Sequence, residues 1–147
     1  MEGVRTASEA SEEGANPALR TGLDAVDAQH HHFVSLIGWL NQLSPAELGA
    51  PVGRRWLAEL ASYAALHFAF EQSLMRESDF PDELAHTAEH ERIAEHLHAQ
   101  GGRSAWSAAD HTDFMRFLWR WFAEHTGTRD RELAEHVRRR GGRASAR

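Results

Sequence analysis

Tyr63-Ala-Ala-Leu-His67-Phe-Ala-Phe-Glu71-Gln-Ser-Leu-Met75 reads as a helix with a histidine and a carboxylate on or beside its apolar face. Trp56, Leu60, Tyr63, His67, Leu74 and Met75 mark the inner side of one helix from about Val52 to Glu77, and Asp79-Phe80-Pro81 breaks it. His67 and Glu71 stand four residues apart, an advance of about 400°, so both project from one side. Burying such groups without partners is costly. A surface hydrogen bond would explain the pair taken alone, so the rest of the chain has to choose.

The neighbouring segments repeat the pattern. Before this helix, Val26, Phe33, Ile37 and Leu40 recur at helical spacing and predict a helix near 24–43, with His30 on the same side. It stops at Ser44-Pro45, where Ser44-Pro-Ala-Glu47 forms a capping box for one short turn before Gly49-Ala-Pro51. After it, a third helix spans about Asp82 to Ala99 and ends at Gly101-Gly102. His86 and His90 share one face of it at the spacing of His67 and Glu71, close enough for one metal ion to accept both. Ser107-Ala-Ala-Asp110 resembles a capping box for a fourth helix, whose Phe114, Phe117, Leu118, Trp121 and Phe122 lead to His125. Gly127 disturbs that helix, and a short helical piece near 129–139 follows. No β-type alternation or repeat appears. Four helices with short connections predict an all-α fold, an antiparallel up-down four-helix bundle over residues 21–137 with a short C-terminal helical extension. A disordered acidic arm (1–20) and a basic disordered tail (138–147) are expected to flank it.

Composition narrows the chemistry. At 147 residues, 41% of them hydrophobic, the chain fits one domain with a sizeable core. It has no cysteine, which excludes disulfides, thiolate metal sites, Fe–S clusters and cysteine nucleophiles. The N-terminus lacks the apolar core of a signal peptide, and no apolar run reaches the roughly 18 residues of a membrane span. A cytoplasmic protein without membrane contact is expected. The net charge is −6, but five of the 16 arginines fall in the last ten residues, so the body is strongly acidic. Five arginines on a short tail make a weak case for nucleic acid, and none is expected as a partner.

Histidine is the anomaly, at 11 residues. Each predicted helix offers a potential metal ligand on or near its apolar face, and bundle cores that collect such groups usually hold metal. The other six histidines fit less well. His31, His32, His96 and His98 turn away from the inner faces, and His136 lies beyond the fourth helix. His111 faces like His125 but sits about 21 Å from it along the axis.

Four blocks of the chain resemble the bacterial hemerythrins. They are Val26-Asp-Ala-Gln-His30; Tyr63-x-x-x-His67-Phe68-x-x-Glu71 followed by Leu74-Met75; Phe80-Pro81 with His86-x-x-x-His90; and Trp121-Phe122-x-x-His125-x-x-x-x-Asp130. The likeness implies two iron ions, one held by His86, His90 and His125 and the other by His30 and His67. Glu71, Asp130 and an oxo or hydroxo group would bridge them. Counting donors, it implies six positions filled on the first iron and five on the second, leaving one place where O2 binds reversibly. Nitrogen and oxygen donors suit iron. Ile37, Phe33, Trp121 and Phe122 are candidate walls of a dry pocket for O2.

The resemblance further implies a monomeric oxygen carrier, store or delivery protein that is not an enzyme. The alternatives are an O2 or nitric-oxide sensing or scavenging module and a weak di-iron oxidase or peroxidase. Di-iron oxidases of the ferritin type use Glu-x-x-His pairs, and the proposed ligands contain no such array. The chain departs from the family pattern at Gln72, where Glu is frequent, at Phe122, where Leu is frequent, and at Thr126, where an apolar residue is common. Asp130 also strains an ideal helix: five residues turn about 500°, which leaves it about 140° from His125. Either the helix around Gly127 distorts, or the Asp130 carboxylate reaches around it.

Overall fold

A computed structural model of the protein describes residues 19–145, with side chains as far as Gly141. Residues 1–18, which make up most of the expected acidic arm, lie outside the described residues. Leu19 packs against the core. Its helices are α1 (Asp24–Gln42), α2 (Pro45–Gly49), α3 (Pro51–Glu77), α4 (Glu83–Gly101), α5 (Ala108–His125) and α6 (Arg131–Ser145). A π-helical turn (Thr126–Asp130) joins α5 to α6. No strand occurs among the described residues.

The helix ends have local causes. Ser44 Oγ accepts from the Glu47 amide and Glu47 Oε1 accepts from the Ser44 amide, both at 3.1 Å, which starts α2. Ser107 and Asp110 make the same reciprocal pair at 3.0 and 2.9 Å at the start of α5. After α3, Asp79 takes a left-handed conformation (φ 52°) that an aspartate tolerates better than most residues, and Pro81 follows. Gly53 permits the tight joint between α2 and α3, because a Cβ there would lie 2.2 Å from the Leu48 carbonyl oxygen.

The long helices α1, α3, α4 and α5 form the bundle around one core that includes Phe33, Ile37, Leu60, Ile93, Leu118 and Phe122. Their directions alternate. Residues early in α1 and α4 meet residues late in α3 and α5 at one end of the molecule, which is the up-down arrangement expected. Phe117 corrects one expectation: it is 37% exposed and packs against the His96 ring at 4.2 Å, while Trp119 is buried. The buried face of α5 runs through His111, Phe114, Met115, Leu118, Trp119, Phe122 and His125, and position 117 falls beside that stripe.

The helix α6 corrects another. A helical piece ending near 139 and a disordered tail from 138 were expected, yet α6 continues to Ser145. Leu133 is buried with Met75 and Phe80 in a second small cluster, which anchors the helix. His136 Nε2–H donates to the Ser78 carbonyl at 2.6 Å, Arg140 pairs with Asp79 at 2.9 Å, and Arg138 donates to the Thr21 carbonyl. Arginine is a good helix former, so these anchors suffice to carry the helix through the basic run. Among the described residues no helix is long and apolar enough to cross a membrane.

Candidate metal centre

At the end where α1 and α4 begin, four helices and the π-helical turn bring seven ionisable side chains together. His30 comes from α1, His67 and Glu71 from α3, His86 and His90 from α4, His125 from α5 and Asp130 from the turn, and all are buried. The groups fall into two sets, in each of which one donor atom per residue lies within 4.8 Å of the others: Glu71, His86, His90, His125 and Asp130; and His30, His67, Glu71 and Asp130. Both carboxylates belong to both sets.

Each carboxylate spans the sets with separate oxygens. Glu71 Oε1 lies 2.6 Å from His67 Nε2 and 3.8 Å from His30 Nε2, and its Oε2 lies 2.9 Å from His86 Nε2 and 3.3 Å from His90 Nε2. Asp130 Oδ2 lies 2.9 Å from His30 Nε2, while its Oδ1 lies 3.1 Å from His86 Nε2 and 3.0 Å from His125 Nε2. The π-helical turn makes the second set of contacts possible. Its i→i+5 bonding widens the turn, so the residue five places after His125 returns to the same side. Of the two ways to reconcile the His125–Asp130 spacing, distortion of the helix is the one found. Gly127 adopts no left-handed conformation there.

Of these contacts His86 Nε2 with Glu71 Oε2 has hydrogen-bond geometry, while several of the others do not. His30 Nε2, Glu71 Oε1 and Asp130 Oδ1 are buried and have no hydrogen-bond partner despite their proximity, so their donor and acceptor directions miss one another. His90 Nε2 and His125 Nε2 face each other at 3.1 Å, where at most one can carry a proton to donate. Donors that converge on a common point without bonding to each other suit a cation between them. Five imidazoles and two carboxylates are the donor set of a borderline transition metal such as iron, zinc or manganese.

Without a cation the cluster holds protons. Burial opposes charge on His30 and His86, but the Asp130 and Glu71 carboxylates outweigh it and raise both to about 9. His125 also rises, against burial, because Asp130 lies beside it. His90 falls, pushed by burial and by the charges of His125 and His86. Glu71 and Asp130 stay well below the carboxylate range, because the surrounding histidines overcome their burial.

A second layer holds the imidazoles in place: Gln29 belongs to the Val26-Asp-Ala-Gln-His30 block, whereas no motif marked Glu89 or Arg129. His67 Nδ1–H donates to Gln29 Oε1 at 2.6 Å. His125 Nδ1–H donates to Glu89 Oε2 at 2.9 Å, and Arg129 Nε–H donates to Glu89 Oε1 at 2.8 Å. Each stands next to a site residue in the chain, which was the only available signal for Glu89 and Arg129. Gln72, noted as a departure, accepts from Thr87 Oγ1 at 2.8 Å and donates to Glu83 Oε1 at 2.6 Å, so it ties α3 to α4.

Rings close the site. Phe122 meets His30 edge-on at 5.6 Å, and Phe33 meets His67 at 5.8 Å. Trp121 lies flat on His125 at 4.9 Å, and Phe68 lies flat on His90 at 3.9 Å. Ile37 is buried in the same core as Phe33 and Phe122, one turn further along α1. Thr126 is buried beside His125. Of the six remaining histidines none joins either set: His31, His32 and His98 are exposed, His96 and His136 are half-buried, and His111 is buried elsewhere.

Comparison with known proteins agrees with this arrangement. The family model for the hemerythrin HHE cation binding domain matches residues 21–137. A bacteriohemerythrin from Stenotrophomonas maltophilia (strain R551-3) is 32% identical over 126 residues, covering 82% of this chain and 78% of its own length. Another from Pseudomonas paraeruginosa (strain DSM 24068 / PA7) is 28% identical over 125 residues, with the same coverage of 82% and 78%. One from Ralstonia nicotianae (strain ATCC BAA-1114 / GMI1000) is 28% identical over 125 residues, covering 84% of this chain and 88% of its own. Among solved structures none matches. The matched region contains the whole bundle and all seven clustered residues, and the chain belongs to the hemerythrin family.

Proposed function

We propose that this chain binds O2 reversibly at a di-iron centre and serves as an oxygen carrier or store. His86, His90 and His125 would hold one iron and His30 and His67 the other, with Glu71 and Asp130 shared between them. One observation carries the reading: two buried donor sets share both carboxylates, and atoms in the shared region have no other partner. Iron held there would supply the two electrons that reversible O2 binding uses. The His30/His67 half has one nitrogen fewer than the other, which leaves room there for O2.

The chain's own part is to position and to exclude. Gln29 and Glu89 fix the rings of His67 and His125, so that Nε2 faces the cluster. Phe33, Ile37 and Phe122 keep water from the His30/His67 half, while Trp121 and Phe68 cover the three-histidine half. Restricting water and protons there would protect a ferrous centre against irreversible oxidation. Five nitrogens with only two carboxylates favour binding over oxidation of a substrate.

The test is iron analysis of the purified chain, with optical spectroscopy through repeated O2 exposure and removal. The expected result is two irons per chain and a visible absorption band that appears with O2 and vanishes without it. Fewer than two irons, or a single irreversible oxidation, would sink the proposal.

A further inference from the structure

Glu89 lies on α4 between His86 and His90, yet its carboxylate belongs to neither donor set. Each of its oxygens is committed. Oε2 accepts from His125 Nδ1–H at 2.9 Å, and Oε1 accepts from Arg129 Nε–H at 2.8 Å. Arg129 is itself part of the π-helical turn, between His125 and Asp130, and its Nη1 lies 3.8 Å from Glu132. One carboxylate thus joins α4 to both ends of the turn that delivers Asp130.

The chemistry of that contact is directional. An ionised carboxylate only accepts hydrogen bonds, so His125 keeps its proton on Nδ1 and presents the Nε2 lone pair to the cluster. The matching contact in the other half differs in one respect. His67 Nδ1–H meets the neutral amide oxygen of Gln29, at 2.6 Å. The Nδ1 atoms of His30 and His86 have no partner. Of these four Nδ1 atoms, that of His125 alone donates to an anion. An anionic acceptor draws the imidazole proton towards itself, which makes Nε2 a stronger donor to a metal, and its charge favours the more highly charged state of a nearby ion.

We propose that Glu89, clamped by Arg129, is a positioning residue that orients His125 and makes the three-histidine half of the centre the more electron-rich and the more easily oxidised. The inference rests on the di-iron reading above and adds a difference between its two halves. Glu89 is partly exposed, with side-chain accessibility of 23%, so it can be replaced without opening the core.

The experiment uses the full chain with Glu89→Gln, Glu89→Ala and Gln29→Glu, each loaded with ferrous iron and separately with zinc. It reads metal affinity, the midpoint potential of the iron form, and the Nδ1–H resonance of His125 in the diamagnetic zinc form. Glu89→Ala is expected to bind metal about 10–100-fold more weakly and to lose the downfield Nδ1–H signal. Glu89→Gln keeps an acceptor oxygen and most of the affinity but loses the charge, so its midpoint potential rises. Gln29→Glu adds a charge to the other half and lowers the potential. A merely structural role would leave the potential of Glu89→Gln at the parent value, and that result would overturn the proposal. A parent chain that takes up fewer than two metal ions overturns the di-iron reading itself. A fully loaded parent whose properties neither Glu89 substitution alters overturns the role of Glu89 alone.

Discussion

His86 is fully buried, with Nε2 2.9 Å from a Glu71 oxygen and 3.1 Å from an Asp130 oxygen, so it touches both shared carboxylates. Its replacement by alanine removes a donor that no neighbour can supply and leaves two buried carboxylates under-partnered. His86→Ala is expected to lose iron, whereas His96→Ala, ten residues on and packed against Phe117, retains it. Metal analysis after desalting checks this, and equal retention overturns the ligand assignment. Gln72 teaches a related lesson. With Glu83 2.6 Å from its amide nitrogen, a glutamate in its place would set two carboxylates against each other.

The π-helical turn is the element on which the site depends most. An unbroken α-helix would carry Asp130 well away from His125, and the wider turn brings its Oδ1 to 3.0 Å from His125 Nε2. Gly127 marked the disturbance at the right place, yet the turn makes no special use of a glycine. No left-handed φ occurs there, and a Cβ built on Gly127 meets nothing within 4 Å. Gly127→Ala is therefore expected to retain iron and to stabilise the chain by about 0.5–1 kcal/mol, since alanine loses less backbone freedom on folding. Denaturant unfolding and metal analysis test both halves of this. Loss of iron would mean that the turn needs glycine after all.

For the molecule as a whole, the unloaded cluster links folding, protons and metal. His30 and His86 stand at about 9 in the folded chain against an ordinary 6.5, so the folded state holds more protons than the unfolded one between these values. Their contribution to the stability of the metal-free protein is complete below about 6.5 and is lost as pH rises through about 9. His90, held below its ordinary value, does not titrate in that window. Metal must displace the same protons, so affinity rises with pH over that interval and uptake releases acid. Thermal melting of the metal-free chain across pH 6.5–9, with proton release followed by a dye in weak buffer, reads both effects. A melting temperature that climbs over this range, or uptake with no proton release, contradicts the cluster's charge state.

Local rules of the chain were enough for the four long helices and their caps at Ser44 and Ser107, and the likeness to the hemerythrins supplied the seven residues that cluster. Period, capping chemistry and the energetic cost of burying histidines and carboxylates all act within a few residues of one another. The likeness to the hemerythrins rested on the same short spacings. Folding in three dimensions settled the rest. The pairing of Glu89 with His125 joins residues 36 apart, and that of Gln29 with His67 joins residues 38 apart, so no spacing rule announces either. The continuation of α6 through its arginines depends on Leu133 finding Met75 and Phe80. The turn at Thr126–Asp130 is an element that simple periodicity does not specify, because its widened geometry is held in place by the contacts that Asp130 makes across the bundle.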